Sequence, residues 1–555
     1  MFWSALAGGT ATLAMAPFQW PLCAYFSLWP LFMLGHRLRN SLTGLCAAGL
    51  LSSFFCSVVA FHWFVLTIQN FSGVSLAAAV AIYLPVAAVF QFKFVIFVVA
   101  YGYSRRAGYP GWISAAVIGT AADLWTPNLF PWYWGNLLAG DAWAAQWAEF
   151  VGPGGLTFIL FTISHGVFSI LASASRGLKV LRRNRRSRYA FLAAICFVYA
   201  VGGVRYYQWR ELQTQLPTLR VAILQTNAPL ELTTDTGDRD PRVEAAAMHI
   251  IRTTVPAMAK SAGDVDLLVL PESAVPYFTT DEFYLNRRFR VYNAEYQALA
   301  REQSREKTGP ALILNEVNFR EYRSGPGASP AARAHNSAAL YLAGERRAEY
   351  HKRRLLAFGE YVPGENAWRR LGLTRYMPAF LQASRFYPGD ISVPARFAVP
   401  RGTPAAAADD VTISPTICYE IIFTDHVREA LGRELAGLLV NLTQDGWYGD
   451  TIETRQHFEL ARLRSIETRR ALVRANNNGA SGVVDLTGAF VTPLQGPTLT
   501  RHGQRAVQVF DVPVQNESAT LYIRIGHWWF AAVLIACIAA LLIAVRRGAR
   551  QPSQD

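Results

Sequence analysis

Only one of the six cysteines in this 555-residue chain, Cys418, lies in its water-soluble part, residues 205–525. The other five, Cys23, Cys46, Cys56, Cys196 and Cys537, fall in apolar runs, where a cysteine acts as a small buried side chain. A disulfide framework is thereby excluded from the soluble part, and a lone thiol outside a membrane calls for a chemical reason. No His-rich or paired-cysteine pattern has metal-ligand spacing, and no glycine-rich loop would cradle a phosphate, so neither a metal nor another cofactor is expected. Internal repeats are missing as well. Met1–Ala16 has no basic residues at its start, which disfavours a cleaved signal peptide, the competing reading of that run.

Charge is the next shortage. Residues 206–525 carry 37 Lys and Arg against 35 Asp and Glu, so little of the net charge of +14 resides there. The excess sits around eight apolar runs near 2–16, 20–36, 43–62, 75–100, 110–126, 154–175, 189–204 and 526–545. Most approach the roughly 20 residues that a hydrocarbon core of about 30 Å demands, although the first is short and reads alternatively as re-entrant or as one half of a hairpin bent at Pro17 and Pro21. Arg37 and Arg39, then Arg105 and Arg106, then seven basic residues in Arg176–Arg188, then Arg546, Arg547 and Arg550 occupy alternate connections. The connections between them, 63–74 and 127–153, contain no Lys or Arg. Such alternation is the positive-inside pattern, which puts the basic loops in the cytoplasm and residues 205–525 on the opposite side. Basic residues that follow topology do not form a nucleic-acid-binding face, so no such partner is expected. The expected organisation is a membrane bundle of about eight transmembrane helices. Residues 1–204 hold seven of them, 205–525 form an extracytoplasmic domain, and 526–555 hold the last helix and a cytoplasmic tail.

Within 205–525, Leu219–Gln225, Val265–Leu270, Ala311–Leu314, Ser337–Leu342, Val411–Ile417 and Ala436–Leu442 are short apolar runs of the kind buried on both faces of a sheet. Polar helical patterns at 284–306 and 454–470 separate them, and the alternation predicts a layered α/β domain. Glu272, Lys352 and Cys418 stand at or just beyond strand ends, where loops of such sheets converge on a crevice. Cys418 precedes a helical pattern, Tyr419–Gly432, whose N-terminus would favour a thiolate. Together the three make a coherent acyl-transfer set. A thiol needs a base, which Glu272 supplies, and its attack on a carbonyl creates an oxyanion for Lys352 and a backbone N–H at Cys418 to stabilise.

Three local segments carry a family resemblance. They are Leu270-Pro271-Glu272-Ser273-Ala274, the run from Lys352 to Pro363 (KRRLLAFGEYVP), and Ile417-Cys418-Tyr419-Glu420. Asn336-Ser337, Asp445-Gly446-Trp447-Tyr448-Gly449 (DGWYG), Gln456-His457 and Arg462–Thr468 accompany them in order. The sequence resembles the apolipoprotein N-acyltransferases of the nitrilase superfamily over essentially its whole length. The resemblance implies a nitrilase-like αββα domain on a multi-pass bundle in a bacterial inner membrane, with the catalytic domain on the periplasmic side. It implies a phospholipid acyl donor, a diacylglyceryl-apolipoprotein acceptor and a thioester on Cys418. Glu272 would be the base and Lys352 the oxyanion stabiliser, with Glu360 and Glu420 as supporting carboxylates and Asn336, Tyr419 and Trp447 as substrate-binding residues. Two positions depart from the family pattern: Thr443-Gln444 replaces a usual Ser-Asn, and Asn315 stands where glycine is common. Residues 361–387, rich in aromatic and aliphatic side chains from Trp368 to Tyr387, read as an interfacial arm over the site, or else as a helix packed on the domain. The same triad would serve a membrane-tethered amidase, and only the membrane architecture and the motifs favour transfer.

Overall fold

The computed structural model describes residues 1–174, 185–228, 245–246, 248–275, 290–304, 309–322, 331–373, 386–390, 396–400, 410–431, 435–516 and 518–537. Its contacts divide the chain into two units: Met1–Ala60, Ala87–Tyr206 and Ala519–Asp555 form one, and Phe61–Val86 with Tyr207–Ser518 the other.

The first unit is helical. Each of the eight apolar runs contains helix, but among the described residues only four helices are both long and apolar enough to cross a membrane: Leu42–Ala60, Leu76–Arg106, Ala144–Ser173 and Arg188–Gln215. The expected membrane bundle is supported by those four, and the reasons the other runs fall short of that length are local. Pro21 and Pro30 open two short helices, Pro21–Ser27 and Trp29–Arg37, in place of one long one. Gly111–Trp125 has 15 residues and the apolar helix Trp528–Cys537 is shorter still. Residues 538–545 of the last run, and most of the basic connection 176–188 along with Arg546, Arg547 and Arg550, lie outside the described residues. Small residues bring helix backbones together: a Cβ on Gly8 would lie 2.5 Å from the Cys56 nitrogen, and one on Gly49 2.5 Å from the Val95 Cα.

The second unit holds eleven described strands: β1 (Thr218–Gln225), β2 (Leu267–Val269), β3 (Ala311–Tyr322), β4 (Ala331–Leu342), β5 (Glu345–His351), β6 (Phe397–Val399), β7 (Val411–Ile417), β8 (Leu438–Thr443), β9 (Ala471–Asn476), β10 (Gly482–Val484) and β11 (Ala506–Pro513). They form two sheets, ordered β11-β1-β2-β3-β4-β5 and β10-β9-β8-β7-β6. The strands at each centre, β1-β2-β3 and β7-β8-β9, are parallel, while the flanking pairs are antiparallel. Parallel strands demand cover on both faces. Helices Val255–Ala262 and Arg290–Gln303 supply it on the first sheet, in a core that includes Leu224, Ile251, Val255, Leu268, Tyr296, Leu299 and Leu312. The two sheets touch across β1 and β9 and across β4 and β7. Helix Glu453–Thr468 packs against β9 and is buried nearly throughout, despite its polar sequence; in its second half Arg464 meets Glu467 at 2.5 Å, and Thr424 donates to the same carboxylate at 2.7 Å. The result is the α/β layered domain the strand pattern predicts.

Two features escape the sequence reading. β5 intervenes between β4 and Lys352, where only a turn was expected. The helical pattern after Cys418 is a short 3-10 turn, Cys418–Ile422, and the α-helix, Thr424–Leu431, starts only after it.

Candidate active site

The carboxyl ends of β2, β5 and β7 bring Glu272, Lys352 and Cys418 to one cavity of about 120 Å³, shared with Asn336, Glu360 and Trp447. Glu272 follows β2, Lys352 follows β5 and Cys418 follows β7. Each of the three loops turns through a left-handed residue that is not glycine: Ser273 (φ 53°) after Glu272, Phe358 (φ 66°) before Glu360, and Cys418 itself (φ 52°). Such torsions are disfavoured for residues with a Cβ and persist only where surrounding structure imposes them.

The charges are close and nearly dry. The Lys352 ammonium lies 3.0 Å from Glu360 and 3.9 Å from Glu272, with 1 % of its side chain exposed. Glu272 also accepts a hydrogen bond from Asn336 Nδ2, at 2.8 Å, through one oxygen, while its other oxygen has no hydrogen-bond partner among the described residues. Burial, with the nearby Glu360 charge added, pushes the Glu272 carboxyl up to about 6 even though Lys352 pulls the other way. Burial alone would lower the Lys352 ammonium, but Glu360 and Glu272 outweigh it and the net direction is upward. Burial, then the Glu272 charge, raises the Cys418 thiol well above the ordinary cysteine range. Cys418 is therefore held as a thiol near the Glu272 carboxylate. The thiolate expected from a helix N-terminus is corrected: the first turn is only five residues of 3-10 helix, and burial outweighs it.

Glu360 and Glu420 hold different things. Glu360 faces the cavity, where one oxygen takes hydrogen bonds from Lys352 (3.0 Å) and Asn336 (2.9 Å) and the other accepts from the Leu356 N–H (2.7 Å). Glu420 is fully buried and accepts from the N–H groups of Arg353 (2.7 Å), Arg354 (3.0 Å) and Ile417 (2.8 Å), and from the Tyr350 hydroxyl (2.9 Å). It clips the Lys352 loop to the Cys418 turn without lining the cavity. Among the expected substrate-binding residues, Asn336 bridges Glu272 and Glu360, and Trp447 lines the cavity. Tyr419 turns its ring edge-on to Phe423, 4.8 Å away, and is not among the lining residues.

Sequence reasoning missed two contributors, Asn315 and Phe71, and read Phe386 only as part of the 361–387 arm over the site. Asn315, a departure from the family pattern, accepts from the Ser273 N–H at 3.0 Å and donates to Asn336 Oδ1 at 2.7 Å and to the Ser337 carbonyl at 2.9 Å, so it braces both the Glu272 turn and the residue between the two carboxylates. Phe71, on helix Phe64–Ser72, lines the cavity and stacks on Trp447 at 4.7 Å, while Asn70 donates to the Trp447 carbonyl. A lysine-free connection offers no sign of that role. Phe386, at the returning end of the 361–387 segment, also lines the cavity, and its N–H donates to the Glu360 carbonyl. Trp368, Leu371 and Leu373 are partly or largely exposed; Tyr376, Met377, Phe380 and Leu381 lie outside the described residues.

Asp445, Glu453 and His457 offer ligand atoms within 4.8 Å of one another. They fit a cation poorly. Asp445 already accepts from Arg474 (2.8 Å), Asn476 (2.6 Å), Thr454 (3.0 Å) and His457 (3.0 Å), and a guanidinium on the carboxylate repels a second positive charge. Burial alone would raise Asp445, but Arg474 and His457 hold it far below the usual carboxylate range.

A family model for carbon-nitrogen hydrolases matches residues 220–520, and one for the N-terminal domain of apolipoprotein N-acyltransferase matches residues 7–166. The chain is 29% identical to apolipoprotein N-acyltransferase 2 of Leptospira interrogans, over 97% of this chain and 94% of that protein. It is 30% identical to the apolipoprotein N-acyltransferase of Bradyrhizobium diazoefficiens, over 79% of this chain and 78% of that one. An amidase from Nesterenkonia sp. aligns with 53% of this chain and 90% of its own at 21% identity, with a TM-score of 0.34.

Proposed function

Because the chain belongs to the apolipoprotein N-acyltransferase family, we propose that it moves an acyl chain from a membrane phospholipid to the N-terminal amine of a diacylglyceryl-cysteine on a lipoprotein. One observation carries the chemistry: a buried thiol, a buried carboxylate with one oxygen left unbonded and an ammonium 3.9 Å from that carboxylate share one cavity. In the first half-reaction the Cys418 proton passes to Glu272 as Sγ attacks the ester carbonyl carbon. The carbonyl electron pair moves onto oxygen, where Lys352 faces it. Collapse breaks the ester C–O bond, and the departing lysophospholipid oxygen takes the proton back from Glu272. The amine of the acceptor then attacks the thioester and gives a proton to Glu272. An amide forms, the C–S bond breaks, and the thiol is restored. Glu360 keeps Lys352 in place throughout, and Glu420 keeps its loop beside Cys418.

One thiol in one cavity must serve two bulky lipid substrates. We therefore read the two substrates as binding in turn, with the acyl group resting on Cys418 between them. Extracting a lipid into water would expose many methylenes at about 0.8 kcal/mol each, so the reaction belongs at a bilayer surface. The alternating basic connections and the helix found in all eight apolar runs support a multi-pass inner-membrane protein with eight spans. They also support the division 1–204, 205–525 and 526–555, with the middle part outside the cytoplasm.

The test is the intact mass of the protein after exposure to phospholipid. One acyl adduct on Cys418 should appear, with one lysophospholipid released. A lipoprotein bearing diacylglyceryl-cysteine should discharge it, and one without the diacylglyceryl group should not. Continuous phospholipid hydrolysis without an acceptor would make the protein a hydrolase instead.

A further inference from the structure

Cys418 sits at φ 52° with a Cβ attached, so something must hold its peptide in place. The answer lies on the neighbouring strands. β7, β8 and β9 run parallel and place Thr416, Asn441 and Arg474 in one register row. Asn441 is fully buried, and its Nδ2 donates to the Cys418 carbonyl at 3.0 Å, with Thr416 Oγ1 at 3.2 Å and the Thr416 carbonyl at 3.4 Å also in reach. A side-chain amide can face either way, but here the choice is made by charge: Arg474 donates to Asn441 Oδ1 at 2.6 Å, which leaves Nδ2 for Cys418. Arg474 is anchored in turn, its other terminal nitrogen 2.8 Å from Asp445 Oδ2. Asp445 is itself gripped by Asn476, Thr454 and His457.

A carbonyl held in this way also aims the next N–H. The Cys418–Tyr419 peptide is trans, the one cis bond among the described residues being Ala16–Pro17, and in a trans peptide the C=O and N–H point in opposite directions. We propose that Asn441, locked by Arg474, is a positioning residue that turns the Tyr419 N–H toward the oxyanion formed when Cys418 attacks an acyl carbonyl, so that this N–H and Lys352 share the charge. The inference rests on the acyl-transfer reading of Cys418 and adds to it a device two strands deep. The Asp445–His457–Arg474 cluster, unsuited to a metal, acquires a role as its foundation.

Asn441→Asp separates this role from mere packing. It keeps size and keeps an oxygen for Arg474, but beside that guanidinium the carboxylate is ionised and has no hydrogen to give the Cys418 carbonyl. Two reactions are read on the full-length protein in detergent. Acylation by p-nitrophenyl butyrate, followed as the p-nitrophenolate burst, passes through an oxyanion. Alkylation of Cys418 by iodoacetamide forms the S–C bond by displacing iodide and does not. The burst rate should fall about 10- to 100-fold, within the range that follows loss of an oxyanion-hole donor, while alkylation stays within about twofold. Arg474→Lys, which retains the charge on Asp445 without the planar fork, should show the same split more weakly and serves if Asn441→Asp does not fold. An unchanged burst in the folded variant, or equal losses in burst and alkylation, would overturn the proposal. The ester burst does not depend on lipid. A wild-type protein that gives the burst but moves no acyl chain from phospholipid to a lipidated amine would overturn the proposed function alone.

Discussion

Two lysines in this protein are buried to the same degree and put to different uses. Lys93, in the helical unit, lies 2.8 Å from Asp123, also donates to the Trp132 carbonyl, and has the indole faces of Trp132 and Trp134 at 4.0 and 4.7 Å. Asp123 is saturated as well, accepting from the Trp134 N–H at 2.7 Å and the Thr157 hydroxyl at 2.6 Å. Lys352, in the catalytic unit, has two carboxylates near it but hydrogen-bonds only one of them, and it borders a cavity. Burial of charge is thus no mark of function by itself. A charge whose partners enclose it stabilises the fold, while one that keeps a direction open toward a cavity can act on a substrate.

The largest expected effect breaks the two lysines apart. Lys352→Met should reduce thioester formation on Cys418 by at least about 100-fold, as loss of an oxyanion donor does, and leave the protein folded. Lys93→Met should leave the acylation rate of folded protein unchanged but cost about 3–5 kcal/mol of stability, because Asp123 is stranded without its countercharge. The double change Lys93→Met with Asp123→Leu should recover much of that loss. Thermal unfolding beside the burst rate distinguishes the two cases, and the comparison fails if Lys93→Met lowers the burst at undiminished stability.

A smaller effect sharpens the contrast through pH. Glu272 must be ionised to accept the thiol proton, and its carboxyl is pushed up to about 6. The acylation rate should therefore decline as pH falls through about 6, well above the ordinary carboxylate range. Glu360 is one of the charges that raise it. In the residual activity of Glu360→Gln the acid limb should accordingly move to lower pH. A limb that stays in place, or moves upward, would mean that another group governs it.

The smallest effect concerns the exposed apolar side chains beyond Lys352. Trp368→Ser and Leu371→Ser should weaken use of long-chain phospholipid several-fold and leave a short soluble ester within about twofold, since these side chains would contact lipid rather than the reacting carbonyl. Equal losses on both substrates would assign them to packing.

Much of the site was legible because its loops are short and follow strands. Leu267–Pro271 is apolar up to Glu272, and Val411–Ile417 up to Cys418, so a strand-end reading found both. β5 was not legible, since Glu345–His351 alternates charged and neutral residues at a sheet edge and lacks an apolar run. The sequence showed Glu453–Thr468 only as a polar helical pattern, yet the helix is buried, with its Glu467 carboxylate held by Thr424, 43 residues away.

From the sequence alone came the apolar runs, the alternation of basic connections, the parallel-strand pattern and three motif segments, because each is written within a few consecutive residues. Only the tertiary structure decided that Phe71 from an early connection stacks on Trp447, that Asn315 braces Glu272, and that Asn441 and Arg474 stand behind Cys418. Those contacts join residues far apart in the chain, and their polar side chains sit on interior strands. There the local pattern is the same for a residue that merely fills its place and for one that holds a nucleophile.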